Sequence, residues 1–214
     1  ATVKVDNIRA LMDDTGLEIA AIGTGQAYVD EGLSLSSPDA AKRAAAVLRI
    51  QRQIELGGEL GARVILGLIR GTADRPEEVE PAMARFKDSM MELCEHAARG
   101  DSPGMLIEPI NRYETRLLNS LASARAFVAE LDSPGLSILP DLFHMNIEDR
   151  DMAEEIRETG ALVGHVHFAD SNRWAPGQGH TDFEPVLAAL DDIGYDGYLS
   201  AEILPEPTPA DAEK

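Results

Sequence analysis

A chain of 214 residues, 44% of them hydrophobic, has the length and composition of one packed globular domain. Its 38 acidic residues outnumber the 19 lysines and arginines, and a net charge of −19 argues against binding to a nucleic-acid backbone. No apolar run approaches the ~20 residues of a membrane span, and the N-terminal residues lack the pattern of a signal peptide, so we expect a cytoplasmic protein without a membrane partner.

The apolar pattern alternates between strand and helix along the chain. Six β-branched or apolar runs predict strands at 17–23, 62–69, 104–109, 136–141, 162–168 and 197–203. Amphipathic stretches predict helices at about 7–16, 39–59, 76–99, 117–131, 151–160 and 183–194. One domain covering residues 1–214 accommodates all of these elements.

The strands are continuous apolar runs, which indicates a parallel sheet covered on both faces. The segment Gly23-Thr24-Gly25 after the first strand is too short for a dinucleotide-binding glycine motif. Ionisable residues at several strand ends favour a TIM-type barrel over an open sheet. A closed (β/α)₈ barrel takes eight strands and ~250 residues, so about six of its eight units are expected here.

Four ionisable residues come where predicted strands end: Glu108, Asp141, His167 and Glu202. In a barrel of parallel strands these ends meet at one mouth. Three carboxylates and one imidazole are ligands that suit a hard divalent cation. The pattern therefore predicts one metal site at the barrel mouth.

Glu108 and Glu202 are the predicted catalytic pair. Two carboxylates that face each other across a bound substrate can remove a proton on one face and return it on the other. A metal ion between them would polarise a carbonyl and a hydroxyl group and make the neighbouring C–H bond more acidic. Such a pair would invert a carbon centre through an enediolate.

Other residues are candidates for contacts with a substrate. His144 lies on the turn predicted after Asp141 and can bond a substrate oxygen, whereas His165 is expected to fill the barrel interior. Arg173 sits on a Pro/Gly loop, and its planar guanidinium suits a sugar hydroxyl or a carboxylate. Arg70 and Arg112, which also follow strands, are further candidate cations for a substrate carboxylate.

Five segments resemble the sugar isomerase/epimerase superfamily of xylose-isomerase-like TIM barrels, and within it the ketose 3-epimerases related to D-tagatose 3-epimerase. The strongest are EPINRYET, DLFHMNIED and HFADSNRWAPGQGH, supported by AIGTGQAY and LSLSSPDA. Together they are most similar to the 5-keto-L-gluconate epimerase branch, which acts on keto sugar acids.

The resemblance implies that the four strand-end residues bind one Mn²⁺, Mg²⁺ or Co²⁺ ion, with Mn²⁺ favoured, and that Glu108 and Glu202 are the acid and base. It also implies that His144 and Arg173 hold substrate oxygens and that Glu114 contacts the reacting end of the sugar. The implied substrate is a keto sugar or a keto sugar acid of the 5-keto-L-gluconate or D-tagaturonate type.

By comparison with that family, the first two strands, the helix between them and the last helix are absent. Those pieces are neighbours in a closed ring, so one contiguous gap is expected. Open sheet edges invite pairing, which leads us to expect that further segments of a longer chain fill the gap, or that subunits do so in a homo-oligomer.

Three alternatives remain open at this point. An aldose–ketose isomerase of the hydroxypyruvate isomerase type shares the metal site and differs in the carbon that loses its proton. An endonuclease IV-like repair enzyme uses the same barrel, but it needs a histidine-rich multi-zinc site and a basic groove. A sugar-sensing protein with a degenerate site would be expected to lack one of the two glutamates.

Overall fold

The computed structural model describes residues 4–205, which form two parallel sheets with helices packed against one face. Four strands pair in the order β1-β2-β3-β4 and two more pair as β5-β6, and the bridges Ile138–Val163 and Asp141–His167 link β4 to the β5 segment. The strands are β1 (Ala21–Ile22), β2 (Arg63–Leu66), β3 (Met105–Ile107), β4 (Leu136–Ile138), β5 (Val166–His167) and β6 (Leu199–Ser200).

Helices connect successive strands, as in a (β/α) barrel. They are α1 (Val5–Thr15), α2 (Gly25–Glu31), α3 (Ala40–Leu60), α4 (Val79–Ala97), α5 (Leu121–Leu131), α6 (Leu142–Glu148), α7 (Met152–Thr159) and α8 (Phe183–Asp192). Asp39 caps the longest helix by accepting hydrogen bonds from two backbone N–H groups, and Gly61 ends it with a left-handed φ of 70°. Within residues 4–205, no helix combines the length and hydrophobicity that crossing a bilayer requires.

The two faces of the sheet have different contacts because successive strand residues point in opposite directions. Val64 and Leu66 of β2 pack with the helices in the main core, which contains the stacked rings of Phe86 and Phe127 at a centroid distance of 5.0 Å. Ile65, between them, belongs instead to a small cluster on the other face. That face is the interior of the barrel.

All six predicted strands are present, but each is shorter than its apolar run. An apolar run indicates buried side chains, whereas a strand also requires backbone pairing. The residues at the ends of each run lie in loops. Backbone bonding does continue past the strands, since the N–H of Leu139 donates to the carbonyl of Ile107 at 2.8 Å. The helix expected from residue 117 begins at Leu121, because Ser120 caps it.

Two helices were not predicted. Gly25–Glu31 forms the short helix α2, and the segment after Asp141, predicted as a turn, forms α6. The prediction of a turn was wrong because the Asp141 side chain accepts hydrogen bonds from the N–H groups of Phe143 and His144 and so caps a helix. His144 therefore stands on a helix.

Among the described residues, the two bridges place the β5-β6 sheet beside β4, so β1 and β6 are the outer strands of the row. The hydroxyl of Tyr198, next to β6, donates to the carboxylate of Glu18, which precedes β1, so the edges approach each other on that side. Leu199 on β6 is 44% exposed. What covers these edges, and whether the chain forms a homo-oligomer, stay predictions.

Candidate metal and substrate site

The structure brings the four strand-end residues together. Glu108 follows β3, Asp141 begins α6 after β4, His167 ends β5 and Glu202 lies two residues beyond β6. One ligand atom from each of the four lies within 4.8 Å of every other. The cluster forms because the carboxyl ends of parallel strands in a barrel converge on one mouth.

The imidazole of His167 lies at the centre of this cluster. Its Nδ1 atom is 3.2 Å from Oε1 of Glu108, 3.3 Å from Oδ2 of Asp141 and 3.1 Å from Oε2 of Glu202. The side chains of His167, Glu108 and Asp141 are buried, and that of Glu202 is partly exposed. The two carboxylate oxygens of Asp141 have different roles: Oδ1 caps α6, and Oδ2 faces the cluster.

The crowded carboxylates change the ionisation of the cluster. Burial, together with the nearby charges of Glu108 and Glu202, raises the pKa of Asp141 to about 6. Burial alone would lower the pKa of His167, but its contacts with the three carboxylates outweigh that and raise the pKa to about 12. Burial alone would raise the pKa of Glu202, but His167 and Arg173 outweigh it and lower the pKa to about 2. The cluster therefore favours positive charge at its centre.

The donor set fits a divalent metal ion. Oδ2 of Asp141 and Nδ1 of His167 are buried and, within residues 4–205, have no hydrogen-bond partner of adequate geometry. Buried polar atoms without a partner are costly, and coordination of a cation would satisfy both. Carboxylate oxygens with one imidazole suit Mn²⁺, Mg²⁺ or Co²⁺ better than a metal that prefers thiolate.

A cavity of about 450 Å³, part of it open to solvent, adjoins the cluster. Its ionisable lining residues are Glu108, Glu114, His144, His167, Arg173 and Glu202. Glycines at 23, 25 and 67 and apolar side chains of Ile65, Leu68 and Ile110 form much of the remainder. A small polar molecule in this cavity would contact the two predicted acid/base glutamates.

Arg173 reaches into the cavity from the loop after β5. Its Nη2 donates to Oε2 of Glu202 at 2.5 Å, and its guanidinium lies 4.9 Å above the ring of Phe143. The residue has a φ of 62°, in the left-handed region that non-glycine residues rarely adopt. Such a conformation persists only when its surroundings impose it.

The hydrogen bonds that hold this loop converge on Asp170, a residue that no sequence pattern identified. The Asp170 side chain is buried and accepts hydrogen bonds from the N–H groups of Ser171, Gly177 and Thr181 at 2.7, 2.8 and 3.0 Å. Burial alone would raise the pKa of Asp170, but these backbone donors hold it below its usual range. One buried carboxylate thus organises the loop that presents Arg173.

We expect Asp170→Asn to destabilise the protein by about 1–3 kcal/mol, because an amide nitrogen replaces one acceptor of a backbone N–H group. The contribution is present at neutral pH and shrinks as the pH falls below the ordinary aspartate value of 3.8, since the native pKa is depressed. Chemical unfolding at several pH values would measure both effects.

Asp182→Asn is the matched control, since Asp182 is an exposed cap of α8 and asparagine caps equally well. Equal stability of the two variants would show that the carboxylate of Asp170 does not organise the loop.

His144 is buried and lines the cavity beside the cluster. Its Nδ1 lies 2.8 Å from Nδ2 of Asn111, and its Nε2 lies 4.0 Å from Oδ2 of Asp141. Burial, followed by the charge of Arg173, lowers the pKa of His144 to about 3. Asn111 also contacts Glu114, so it joins two predicted substrate-binding residues, and no sequence pattern identified it.

Two predicted substrate contacts lie elsewhere. Arg70 is fully buried and donates to backbone carbonyls of the β2 and β3 loops, those of Gly67, Leu118 and Glu108. The guanidinium of Arg112 is exposed and pairs with Glu148 at 2.8 Å. Neither arginine lines the cavity, so the structure gives no support to their expected contact with a substrate carboxylate. Arg70 has a structural role, and Arg112 links the loop after β3 to the end of α6.

His165 was expected to fill the barrel interior. His165 is buried, with its ring edge-on to that of His167 at 5.5 Å and near Tyr198, as a residue of the barrel interior would be. Burial lowers its pKa to about 4. Trp174 is partly buried on the Arg173 loop and does not line the cavity.

Gly67 leaves the space that Glu108 occupies. A Cβ atom at this position would lie 2.4 Å from Oε2 of Glu108. The end of a glutamate side chain can move at little cost to folding, but a moved Glu108 no longer meets the other ligands. We therefore expect Gly67→Ala to weaken the binding of Mn²⁺ by about 10- to 100-fold, as loss of ligand orientation does elsewhere.

Titration calorimetry with Mn²⁺ would measure this effect. Gly23→Ala is the matched control, because Gly23 lines the same cavity and its added Cβ would meet no atom within 4 Å. Unchanged affinity in Gly67→Ala would contradict the proposed dependence of Glu108 on this glycine.

Comparison with known proteins agrees with the geometry. Residues 2–214 match the family model described as xylose isomerase-like TIM barrel. The chain is 28% identical over 207 residues to 3-dehydro-D-guloside 4-epimerase of Escherichia coli, covering 92% of this chain and 76% of that protein. It is 32% identical over 199 residues to D-psicose 3-epimerase of Agrobacterium fabrum, a match that covers 91% of this chain and 67% of that protein. It is 35% identical over 172 residues to ketose 3-epimerase of Arthrobacter globiformis, a match that covers 79% of this chain and 59% of that protein.

Solved structures give the same result. The crystal structure of D-allulose 3-epimerase from Methylomonas sp. in complex with D-allulose superposes with a TM-score of 0.84 at 27% identity, covering 96% of this chain and 70% of that one. The crystal structure of 3-keto-D-glucoside 4-epimerase from E. coli superposes with a TM-score of 0.82 at 26% identity, covering 97% of this chain and 81% of that one. The chain spans 59% to 76% of the length of the three curated relatives above. It belongs to the xylose isomerase-like TIM barrel family, and the relatives it matches are sugar epimerases.

Proposed function

We propose that this protein is a divalent-metal-dependent epimerase that inverts the carbon next to the ketone of a keto sugar. One observation carries the proposal: Glu108 and Glu202 both line one cavity and both meet the same imidazole, at 3.2 and 3.1 Å. Two carboxylates so placed can serve opposite faces of one bound sugar. The names of the relatives support the same reaction class.

In the proposed reaction one of the two glutamates removes the proton from the carbon beside the ketone, which leaves a cis-enediolate. The other glutamate returns a proton to the opposite face of that carbon, and its configuration is inverted. A bound Mn²⁺, Mg²⁺ or Co²⁺ ion, held by the four strand-end residues, would supply the positive charge that makes this C–H bond acidic. Arg173 and His144 would donate hydrogen bonds to sugar oxygens, and Glu114 would accept one.

A neutral keto sugar fits the described cavity better than a keto sugar acid. With Glu108 and Glu202 held by the metal ion, the wall offers one further carboxylate, that of Glu114, and, among residues 4–205, one guanidinium, that of Arg173. Arg173 is already bonded to Glu202. A keto sugar acid, such as 5-keto-L-gluconate or D-tagaturonate, would have to compete for that guanidinium, since Arg70 and Arg112 lie outside the cavity.

Reaction in D₂O with added Mn²⁺, followed by proton NMR of the products, would test the proposal. The panel would include fructose, tagatose and psicose with 5-keto-L-gluconate and tagaturonate, and kcat/KM would be compared across it. We expect deuterium at the inverted carbon beside the ketone and a preference for a neutral ketose. Deuterium at C1 with an aldose product would instead show an aldose–ketose isomerase, and a preference for a keto acid would overturn the choice of substrate class.

A further inference from the structure

The side chain of Asn111 connects two residues of the substrate cavity. It lies in the loop after β3 and is 2% exposed. Its Oδ1 accepts a hydrogen bond from the N–H of Tyr113 at 3.0 Å. Its Nδ2 lies 2.9 Å from Oε1 of Glu114 and 2.8 Å from Nδ1 of His144. All three contacts are within hydrogen-bonding distance.

Two of these neighbours fix the orientation of the amide. The backbone N–H of Tyr113 can only donate, and the carboxylate of Glu114 can only accept. An amide turned by 180° would place its NH₂ group against that N–H and its oxygen against that carboxylate. The orientation of Asn111 therefore follows from neighbours other than His144.

The orientation determines the protonation of the His144 ring. With its NH₂ group directed at both Glu114 and His144, Asn111 donates one hydrogen to each. Nδ1 of His144 must then be the acceptor and cannot carry a proton, so the ring proton is on Nε2. Nε2 is the ring nitrogen on the side of the metal-ligand cluster, 4.0 Å from Oδ2 of Asp141.

We propose that Asn111 is a positioning residue that holds His144 as the neutral Nε2–H tautomer, so that His144 donates a hydrogen bond to a substrate oxygen and does not act as a base. The substrate part of this inference rests on the proposed function. A fixed donor stabilises the negative charge that develops on a sugar oxygen when the proton leaves the neighbouring carbon. The same amide holds Glu114 as an acceptor, so the two side chains present opposite polarity to the sugar.

Nitrogen-15 NMR of the imidazole rings would test the tautomer directly, in protein loaded with diamagnetic Mg²⁺. We expect the His144 signals of the wild-type protein to show Nε2 protonated and Nδ1 unprotonated. Asn111→Asp is isosteric but offers an acceptor to Nδ1, so the proton should move to that nitrogen. Asn111→Leu removes the amide and should leave no fixed preference.

The kinetics should change in parallel. We expect both variants to lose roughly 10- to 100-fold in kcat with a smaller change in KM, because the donor acts mainly on developing charge. Asn119→Asp is the matched control, since Asn119 donates to the carbonyls of Ile110 and Thr115 in the same loop without touching His144. That variant loosens the loop and should leave the tautomer unchanged.

A wild-type His144 protonated on Nδ1, or a wild-type tautomer and kcat in Asn111→Asp, would overturn the inference. The tautomer is read from the spectrum and not from turnover. If no sugar of the panel reacts while Nε2 is protonated as expected, the proposed reaction fails and the positioning role of Asn111 stands.

Discussion

Glu202→Gln is expected to lower epimerase turnover by about 10²- to 10⁴-fold, the loss typical of removing a general acid or base. Glutamine keeps an oxygen that can face the metal and accept the hydrogen bond from Arg173, but it cannot take a proton from carbon. Glu202 lies beyond β6 in an irregular segment, and its side chain caps no helix. The variant should therefore fold normally and still bind metal in part.

Steady-state kinetics and a Mn²⁺ titration on the same sample would separate the two roles of Glu202. A loss of turnover with retained metal assigns proton transfer, whereas a parallel loss of both would assign only ligation. Glu184→Gln provides the control for a changed charge, because Glu184 is exposed in the first turn of α8. A fully active Glu202→Gln variant would remove Glu202 from the mechanism.

The strand-end residues could be predicted because two simple rules locate them. A continuous apolar run identifies a buried strand, and the carboxyl ends of parallel strands meet at one mouth. Glu108 and His167 therefore come together although they are distant in sequence. Neither rule gives the direction of a side chain beyond the strand. For that reason Arg70 and Arg112 were expected in the cavity, whereas the fold directs Arg70 to backbone carbonyls and Arg112 to Glu148.

Asn111 and Asp170 could not be predicted because their roles depend on partners that sequence patterns do not show. The contact of Asn111 with His144 joins the loop after β3 to helix α6, 33 residues further along the chain. Asp170 binds backbone N–H groups, which every residue except proline carries. The helix α6 was missed for a related reason, since its start depends on a side chain that also faces the metal site.

Chelation of divalent metal is expected to abolish turnover, and Mn²⁺ or Co²⁺ should restore it. The carboxylates of Glu108, Asp141 and Glu202 converge on the imidazole of His167, where a divalent ion would supply the charge that makes the C–H bond acidic. The metal-loaded protein should also unfold at higher temperature, because an ion that binds only the native state adds about 2.7 kcal/mol at 100 times its Kd. Activity and thermal unfolding after dialysis against a chelator would show both effects.

A pair of substitutions separates the metal effect from helix capping. In Asp141→Asn the amide oxygen can still cap α6, but the charge that faces the cluster is lost, so added metal should no longer restore turnover. Asp151→Asn makes the same change at the cap of α7, remote from the cluster, and should respond to metal as the wild-type protein does. Full turnover in a rigorously metal-free sample would refute a metal-dependent reaction. Restoration of Asp141→Asn by Mn²⁺ at the wild-type affinity would instead remove Asp141 from the ligand set.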